Sequence, residues 1–325
     1  MKAILVDNNT KKLHIGETET PSFSENELLI RVKATALNRA DLLQKRGLYP
    51  PPVGASTILG LEMSGVIEEV GEHVRGWKKG DQVCALLPGG GYAEYVAIPA
   101  DMAMRMPKNL SYEEAASIPE VFLTAYLNLF WLGRLKKDET VLIHAGASGV
   151  GTAAIQLARE AGAKVIITAG SAEKRELCLS YGASIAIDYK AGPFISAVNA
   201  ATEGKGVQLI LDFIGAPYWE QNIDSLAMDG KLVLIGVMGG SKVDGVDLGK
   251  LLFKRGQVIG TALRTQPVEK KISLTREFAD VALPTFETET LRPVIDSIWN
   301  WDKANEAHDH MERNKNAGKI VLRVK

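Results

Sequence analysis

Cysteine is almost missing from this chain. Cys84 and Cys178 are the only two in 325 residues. So small a set excludes a disulfide framework and a multi-cysteine metal lobe, and it fits a reduced, cytoplasmic setting. An excess of either charge is also missing. Thirty-eight Lys and Arg face 39 Asp and Glu, for a net charge of -1. Nothing in that balance pulls the molecule toward nucleic acid or an anionic membrane. The five histidines, His14, His73, His144, His308 and His310, show no metal-ligand spacing. His308 and His310 lie two apart on an expected helix and so point in different directions. Long apolar runs are lacking: the longest, Val121 to Gly133, falls short of the ~20 residues that cross a bilayer. Met1-Lys-Ala-Ile-Leu-Val-Asp-Asn reads as a strand that turns polar at once, not as a signal peptide. Repeats and low-complexity segments are absent. With 46% hydrophobic and 24% charged residues, the composition is that of an ordinary globular protein. Its length predicts two domains.

Glycine, by contrast, is plentiful, with 31 residues. The stretch from Glu139 to Lys174 shows why. Thr140-Val-Leu-Ile143 reads as a buried strand. A small-residue turn follows, Ala145-Gly-Ala-Ser-Gly-Val-Gly151, and then a helix through Glu160. Gly162 ends that helix, and Lys164-Val-Ile-Ile-Thr168 is the next strand. This order is what a dinucleotide-binding unit requires, because main-chain N–H groups at a helix N-terminus hold a pyrophosphate. Gly146, Ser148 and Gly151 occupy the three glycine positions of G-x-G-x-x-G, with Ser in the middle and Gly149 as an extra. The competing reading is an ordinary tight strand–helix turn. At the tip of the second strand, NAD binders place an acid for the ribose 2′-OH. Here the chain reads Thr168-Ala-Gly-Ser-Ala-Glu-Lys-Arg175, with no acid at the tip itself and the direction of Glu173 left open. Small, hydroxyl and cationic residues suit a 2′-phosphate, so NADPH is expected. Lys174 is assigned to the phosphate, and Arg175 to a solvated helix face.

Around this unit the pattern changes twice. Residues 1 to about 106 hold short strand-like runs in turn-rich gaps, as a compact barrel does. Asn38 to Arg46 reads as a short helix, which Asn38 could simply cap. Ser111-Tyr-Glu-Glu114 is a capping box. From Thr140 to Ala262 strands and helices alternate, giving about six parallel strands with helices on both faces. Helices are expected near Tyr218–Met228 and Val268–Leu283. Leu291–Trp301 is open between strand and helix, and Gly318–Val324 is a closing strand. The expected division is 1–120, 121–262, and a return of 263–325 to the first domain.

This order resembles the medium-chain dehydrogenase/reductase superfamily over the full length. Asn38 and Leu61 stand where zinc members carry Cys and His ligands; only Glu62 of the His-Glu pair remains. Catalytic zinc needs at least three protein ligands, so no metal is expected. The zinc-free quinone oxidoreductases, and among them the tumour-suppressor-inducible branch, are most similar. The residues that carry the likeness are Ala36-Leu-Asn-Arg-Ala-Asp41, Pro52-Val-Gly-Ala-Ser56, Leu86-Leu-Pro-Gly-Gly-Gly91, Ile143 to Gly151, Ile187-Asp-Tyr-Lys190 and Leu251-Leu-Phe-Lys-Arg-Gly256.

The resemblance implies a doubly wound parallel (Rossmann) sheet of α/β class plus a GroES-like β-rich domain. It also implies NADPH, a homodimer, and reduction of quinones, ortho-quinones among them. It places Tyr49 and Thr124 near the nicotinamide and Gly146, Ser148, Gly149, Val150 and Gly151 at the pyrophosphate. Gly170, Ser171, Lys174 and Tyr189 would surround the 2′-phosphate. Phe213, Met238 and Gly239 would line the cofactor's route, with Leu263 and Arg264 at the edge of an interdomain cleft. Tyr189 as a structural aromatic and Tyr49 as a loop residue held by the prolines after it stand beside these readings. Asn38 and Tyr49 are the candidates for orienting an acceptor, and no proton donor is identifiable. One rival is an NADPH-dependent enoyl reductase on an activated C=C bond, which needs a proton donor to carbon. Another is a non-catalytic binder, since relatives of this shape include lens crystallins and nucleic-acid binders. The near-zero charge counts against nucleic acid. Gln257–Ala262, as the last strand of the sheet, would pair with its twin in a dimer.

Overall fold

A computed structural model describes residues 1–324. The chain forms two compact units. One is Thr124–Leu263; the other is Met1–Leu123 with the chain from Arg264 onward.

In the first of these, six strands make one sheet. They are Thr140–Ile143 (β1), Lys164–Ala169 (β2), Ile185–Asp188 (β3), Val207–Asp212 (β4), Leu226–Leu234 (β5) and Gln257–Gly260 (β6). Their spatial order is β3-β2-β1-β4-β5-β6, and every pairing is parallel. This is the doubly wound order with a reversal between β1 and β4. Both faces of the central strands are covered, so Val141, Leu142 and Ile143 are all fully buried and read as a continuous apolar run rather than an alternation. Leu142, Ile166, Ile210 and Leu232 meet Phe194, Val198 and Ile223 in one core.

One boundary differs from the periodicity. The helix expected through Met228 stops at Ser225, and β5 begins at Leu226. The register against β4 jumps from Val207–Leu226 to Leu209–Lys231. Of the four residues between, Met228 and Asp229 are exposed and Ala227 and Gly230 are buried, with Asp229 at φ 60°. A Cβ on Gly230 would lie 3.0 Å from the carbonyl oxygen of Val207, so glycine permits the close approach that closes this bulge.

The second unit is built on a mixed sheet. Its spine is Glu27–Ala36, paired antiparallel with Glu62–Val70, Tyr95–Pro99 and Lys319–Arg323. Gln82–Leu86 and Ala103–Arg105 extend one side. On the other, the segment left open as strand or helix is the strand Ile295–Asn300, parallel to Lys319–Arg323. Lys2–Val6 and Leu13–Glu17 form a separate hairpin. The helical run Tyr112–Leu132 reaches 21 residues, long and apolar enough by length and composition to cross a membrane, where the apolar run counted from sequence was shorter; 78% of its apolar 18-residue stretch is buried inside the protein, as in a core helix.

Candidate functional site: a dinucleotide turn and a buried polar cluster

The glycine turn leads into a helix spanning Gly149–Glu160. Ser148, at the middle glycine position, is its cap: the hydroxyl accepts the Gly151 N–H at 3.0 Å. That satisfies one of the orphan donors of the first turn and leaves the N–H groups of Gly149 and Val150 without a partner in the helix, as any helix start does. Ala145 enters the turn at φ 49°. A Cβ on Gly151 would lie 2.5 Å from the carbonyl oxygens of Ala145 and Gly146. Only glycine lets the helix start press this close to the strand end. Gly146 is packed too, its N–H donating to Thr168 O at 3.0 Å.

At the end of β2, Ser171 caps the next helix, Ala172–Ser180, by accepting from the Lys174 N–H. Tyr189 reaches the same place: its hydroxyl would stand 2.7 Å from a Cβ on Gly170. Gly170, Ser171 and Tyr189 thus meet at one small patch with the Lys174 backbone at its edge, and the Glu173 carboxylate joins it by accepting from the Ser171 hydroxyl. Arg175 departs from the solvated reading. Its guanidinium pairs with Asp188 at 2.7 Å, at the end of β3. The Asp188 carboxyl is held below the usual range, mainly by the Lys190 backbone N–H. Met238 and Gly239 lie on an exposed loop tied to the turn after β4, where their N–H groups donate to Phe213 O and Ile214 O at 3.0 and 2.8 Å. Phe213, Leu263 and Thr124 are buried; the Thr124 carbonyl accepts from the Asn128 amide.

Beneath the turn runs a network that sequence reasoning missed. His144 Nδ1 meets the Thr168 hydroxyl at 3.0 Å and Nε2 meets Asn222 Oδ1 at 2.7 Å. Asn222 Nδ2 donates to Asp212, whose carboxylate also accepts the Ile214 and Gly215 N–H groups. The Asn222 amide therefore faces His144 with its oxygen, so Nε2 carries the hydrogen and Nδ1 accepts from Thr168. Burial keeps this imidazole neutral, pushing it down to about 4. The network ties together the carboxyl ends of β1, β2 and β4, where open α/β sheets bind ligands.

The other unit holds a second cluster. Glu62, fully buried, pairs with the Lys319 ammonium at 2.5 Å. Lys319 also donates to Asn38 Oδ1 and Leu37 O, at 2.8 and 2.7 Å. Asn38 returns its amide hydrogens to Glu62 Oε1, at 2.9 Å, and Ala36 O, at 3.3 Å. The other carboxylate oxygen of Glu62 accepts the Glu120 N–H. Asp41 lies alongside and receives the Asn38 and Gly60 N–H groups. Its carboxyl is pushed up to about 6, chiefly by burial.

Asn38 therefore stands before the helix Arg39–Lys45 as its cap residue, but its side chain serves the cluster. Both of its amide hydrogens are engaged within the cluster, so orienting an acceptor, the expected role, requires one of these bonds to be exchanged. Tyr49 is half-buried, and the Arg264 guanidinium lies 5.3 Å from its ring centroid. Arg264 is itself fixed to Pro88 O and Gln44 Oε1.

Two family descriptions match the chain: an alcohol dehydrogenase GroES-like domain over residues 24–108, and a zinc-binding dehydrogenase over 149–279. Quinone oxidoreductase from Sus scrofa is 30% identical, over 93% of this chain and 90% of its own length. The chain belongs to the medium-chain dehydrogenase/reductase superfamily. It shares the oxidoreductase architecture of that superfamily, a Rossmann sheet with a GroES-like domain. The synaptic vesicle membrane protein VAT-1 homolog of Danio rerio is also 30% identical, over 93% of this chain; the chain spans 65% of that relative's length. Among solved structures, a Pseudomonas syringae quinone oxidoreductase superposes with a TM-score of 0.88 at 29% identity, covering 99% of each chain. An NAD-dependent alcohol dehydrogenase reaches 0.87 at 30% identity, covering all of both chains. A mycobacterial protein complexed with NADPH also reaches 0.87, at 29% identity, covering 99% of this chain and 100% of its own. Relatives of this superfamily thus differ in coenzyme.

At the positions of the zinc ligands, Leu61 is a buried apolar side chain, and the cation against Glu62 is Lys319. Sequence reasoning singled out Glu62 and Asn38 but missed Lys319. A lysine opening the apolar run Lys319-Ile-Val-Leu322 was the available signal.

Proposed function

We propose that the protein is a cytoplasmic, zinc-independent NADPH:quinone reductase that works as a homodimer. The observation that carries the coenzyme reading is the patch at the end of β2. Gly170, Ser171, Lys174 and Tyr189 come together there; of the acids alongside, Asp188 is paired with Arg175 and the Glu173 carboxylate accepts from the Ser171 hydroxyl. A 2′-phosphate would meet a cation and a phenol and would replace Glu173 on the Ser171 hydroxyl, whereas a bare ribose would find no acid at the strand tip itself. The glycine turn supports the pyrophosphate reading through its N–H groups without a partner in the helix and its close helix start. When bound, the coenzyme supplies the hydride; the protein's task is to hold and orient.

Quinones are strong electron acceptors, so reduction needs no metal to polarise the carbonyl. Positioning then dominates, and it is worth up to ~7–11 kcal/mol in favourable cases. The similarity to quinone oxidoreductases of two organisms supports this substrate class. Tyr49 and Arg264 are the polar groups proposed to face the acceptor.

The test is stopped-flow oxidation of NADPH against parallel panels of quinones and enoyl thioesters, with coenzyme affinity measured separately by fluorescence titration. Quinones should react faster, and NADPH should bind at least ten-fold tighter than NADH. Lys174→Ala should erode that preference without weakening NADH. Tighter NADH binding, or turnover confined to enoyl thioesters, would overturn the reading.

A further inference from the structure

Two buried polar atoms near Tyr49 have no partner. One is Glu120 Oε2, closed to solvent and without a hydrogen bond; the other is Arg264 Nη1. Arg264 is 5% exposed, and its remaining nitrogens are spent on Pro88 O and Gln44 Oε1. The Glu120 main chain is held at the start of the helix Pro119–Tyr126, with its N–H on Glu62 Oε2 at 2.8 Å. Buried polar groups are ordinarily satisfied. Arg264 lies over the Tyr49 ring, and Glu120 is within electrostatic range of both; an unsatisfied carboxyl and an unsatisfied guanidinium N–H so placed suit a single ligand oxygen. The N–H would donate to it, and the carboxyl, if it carries a hydrogen, would donate as well.

We propose that Glu120 is the proton donor of the reaction, delivering its carboxyl hydrogen to an acceptor oxygen that Arg264 Nη1 holds. This rests on the quinone-reductase reading above. Hydride from a reduced nicotinamide forms one new bond to the quinone. The electron pair displaced from the conjugated π system gathers on a carbonyl oxygen, whose C=O double bond becomes single. The Arg264 N–H hydrogen-bonds that oxyanion. The Glu120 O–H breaks as the oxygen takes the proton, and the carboxylate is later reprotonated by water. The quinone gains two electrons and two hydrogens, and the nicotinamide loses a hydride.

The surroundings suit an acid that stays protonated. Glu62 and Asp41 disfavour a further negative charge, while Lys319 and Arg264 favour it. Lys271 and Tyr49 also face Glu120 within electrostatic range. Burial outweighs the cations and pushes the Glu120 carboxyl up to about 8. Asp41 could not substitute, since both of its oxygens already accept backbone N–H groups.

The experiment joins a spectroscopic and a kinetic readout. Coenzyme-free protein at pH 7 should show the infrared carbonyl band of a neutral carboxylic acid. That band should disappear on titration through about pH 8 and be missing in Glu120→Gln. In the wild type, kcat/KM for a quinone should fall as pH rises through the same range. Glu120→Gln should lower kcat about 100-fold, abolish that pH dependence and leave NADPH affinity within two-fold. Glu120→Asp should restore part of the rate with a displaced profile, which a merely structural role would not do. A Glu120 already ionised at pH 7 overturns the proposal, as does a Gln variant that keeps the wild-type pH profile. If the Gln variant does not fold, the Asp profile and the wild-type infrared titration decide. Should the wild type reduce no quinone while the acid band is present, the functional reading fails and the protonated Glu120 survives. Quinone turnover that is indifferent to Glu120 removes the proton donor alone.

Discussion

Lys319 has its charge enclosed with that of Glu62 at 4% and 0% side-chain exposure. Removing one partner of such a pair leaves the other buried and unpaired, which costs about 3–5 kcal/mol. Lys319→Met should lower the urea midpoint by a corresponding amount. The double variant with Glu62→Gln should recover much of the loss, because no lone charge then remains. His308 makes a different residue-scale prediction. It is buried against Tyr92, with its Nε2 3.1 Å from the hydroxyl, and burial lowers it to about 3. The unfolded chain binds a proton near 6.5 that the folded chain refuses. Stability from this group is therefore present above 6.5 and is lost as pH falls toward 3. Glu120 and Asp41 act with the opposite sign: raised in the fold, they contribute stability that fades as pH rises through about 8 and about 6. His308→Gln should flatten the acid limb, so that urea midpoints at pH 5 and pH 7 differ less than in the wild type.

Among the elements, the turn before Gly149–Glu160 was the most legible, and its spacing alone named Gly146, Ser148 and Gly151. What spacing could not show is that the three work differently. Ser148 caps the helix, and Gly151 yields its side chain to two carbonyl oxygens. Gly151→Ala should therefore cost about 1–3 kcal/mol from the overpacked contact and weaken dinucleotide binding, read by thermal unfolding and fluorescence titration. Gly170→Ala is the contrast, because its new Cβ meets only the far ends of the Tyr189 and Lys190 side chains. It should change melting little and act on coenzyme preference instead. The bulge in Leu226–Leu234 was illegible for a related reason: Leu-Ala-Met suits a helix, and only the pairing with Val207–Asp212 draws it into a strand.

For the molecule as a whole, the dimer is the open structural proposal. β6 pairs only with β5 among the described strands. Beside it in sequence, the helix Leu248–Phe253 exposes Leu248, Leu252 and Phe253 at 70, 73 and 79%. A free edge with apolar neighbours is the kind of surface that a two-fold partner covers. Light scattering at micromolar concentration should give twice the chain mass, and Leu252→Glu with Phe253→Glu should give the monomer. A monomeric wild type would remove the proposal.

The order of strands, turn and helices was determined by the sequence alone, because periodicity and small-residue turns are local properties. So was the identity of Asn38 and Leu61, neither of them a usual zinc ligand. Tertiary structure alone decided which buried charges meet. Glu62 and Lys319 are 257 positions apart and share one bond only because the closing strand returns to Glu27–Ala36. The unsatisfied oxygen of Glu120 and the nitrogen of Arg264 exist for the same reason: packing, not pattern, sets what a buried polar atom can reach.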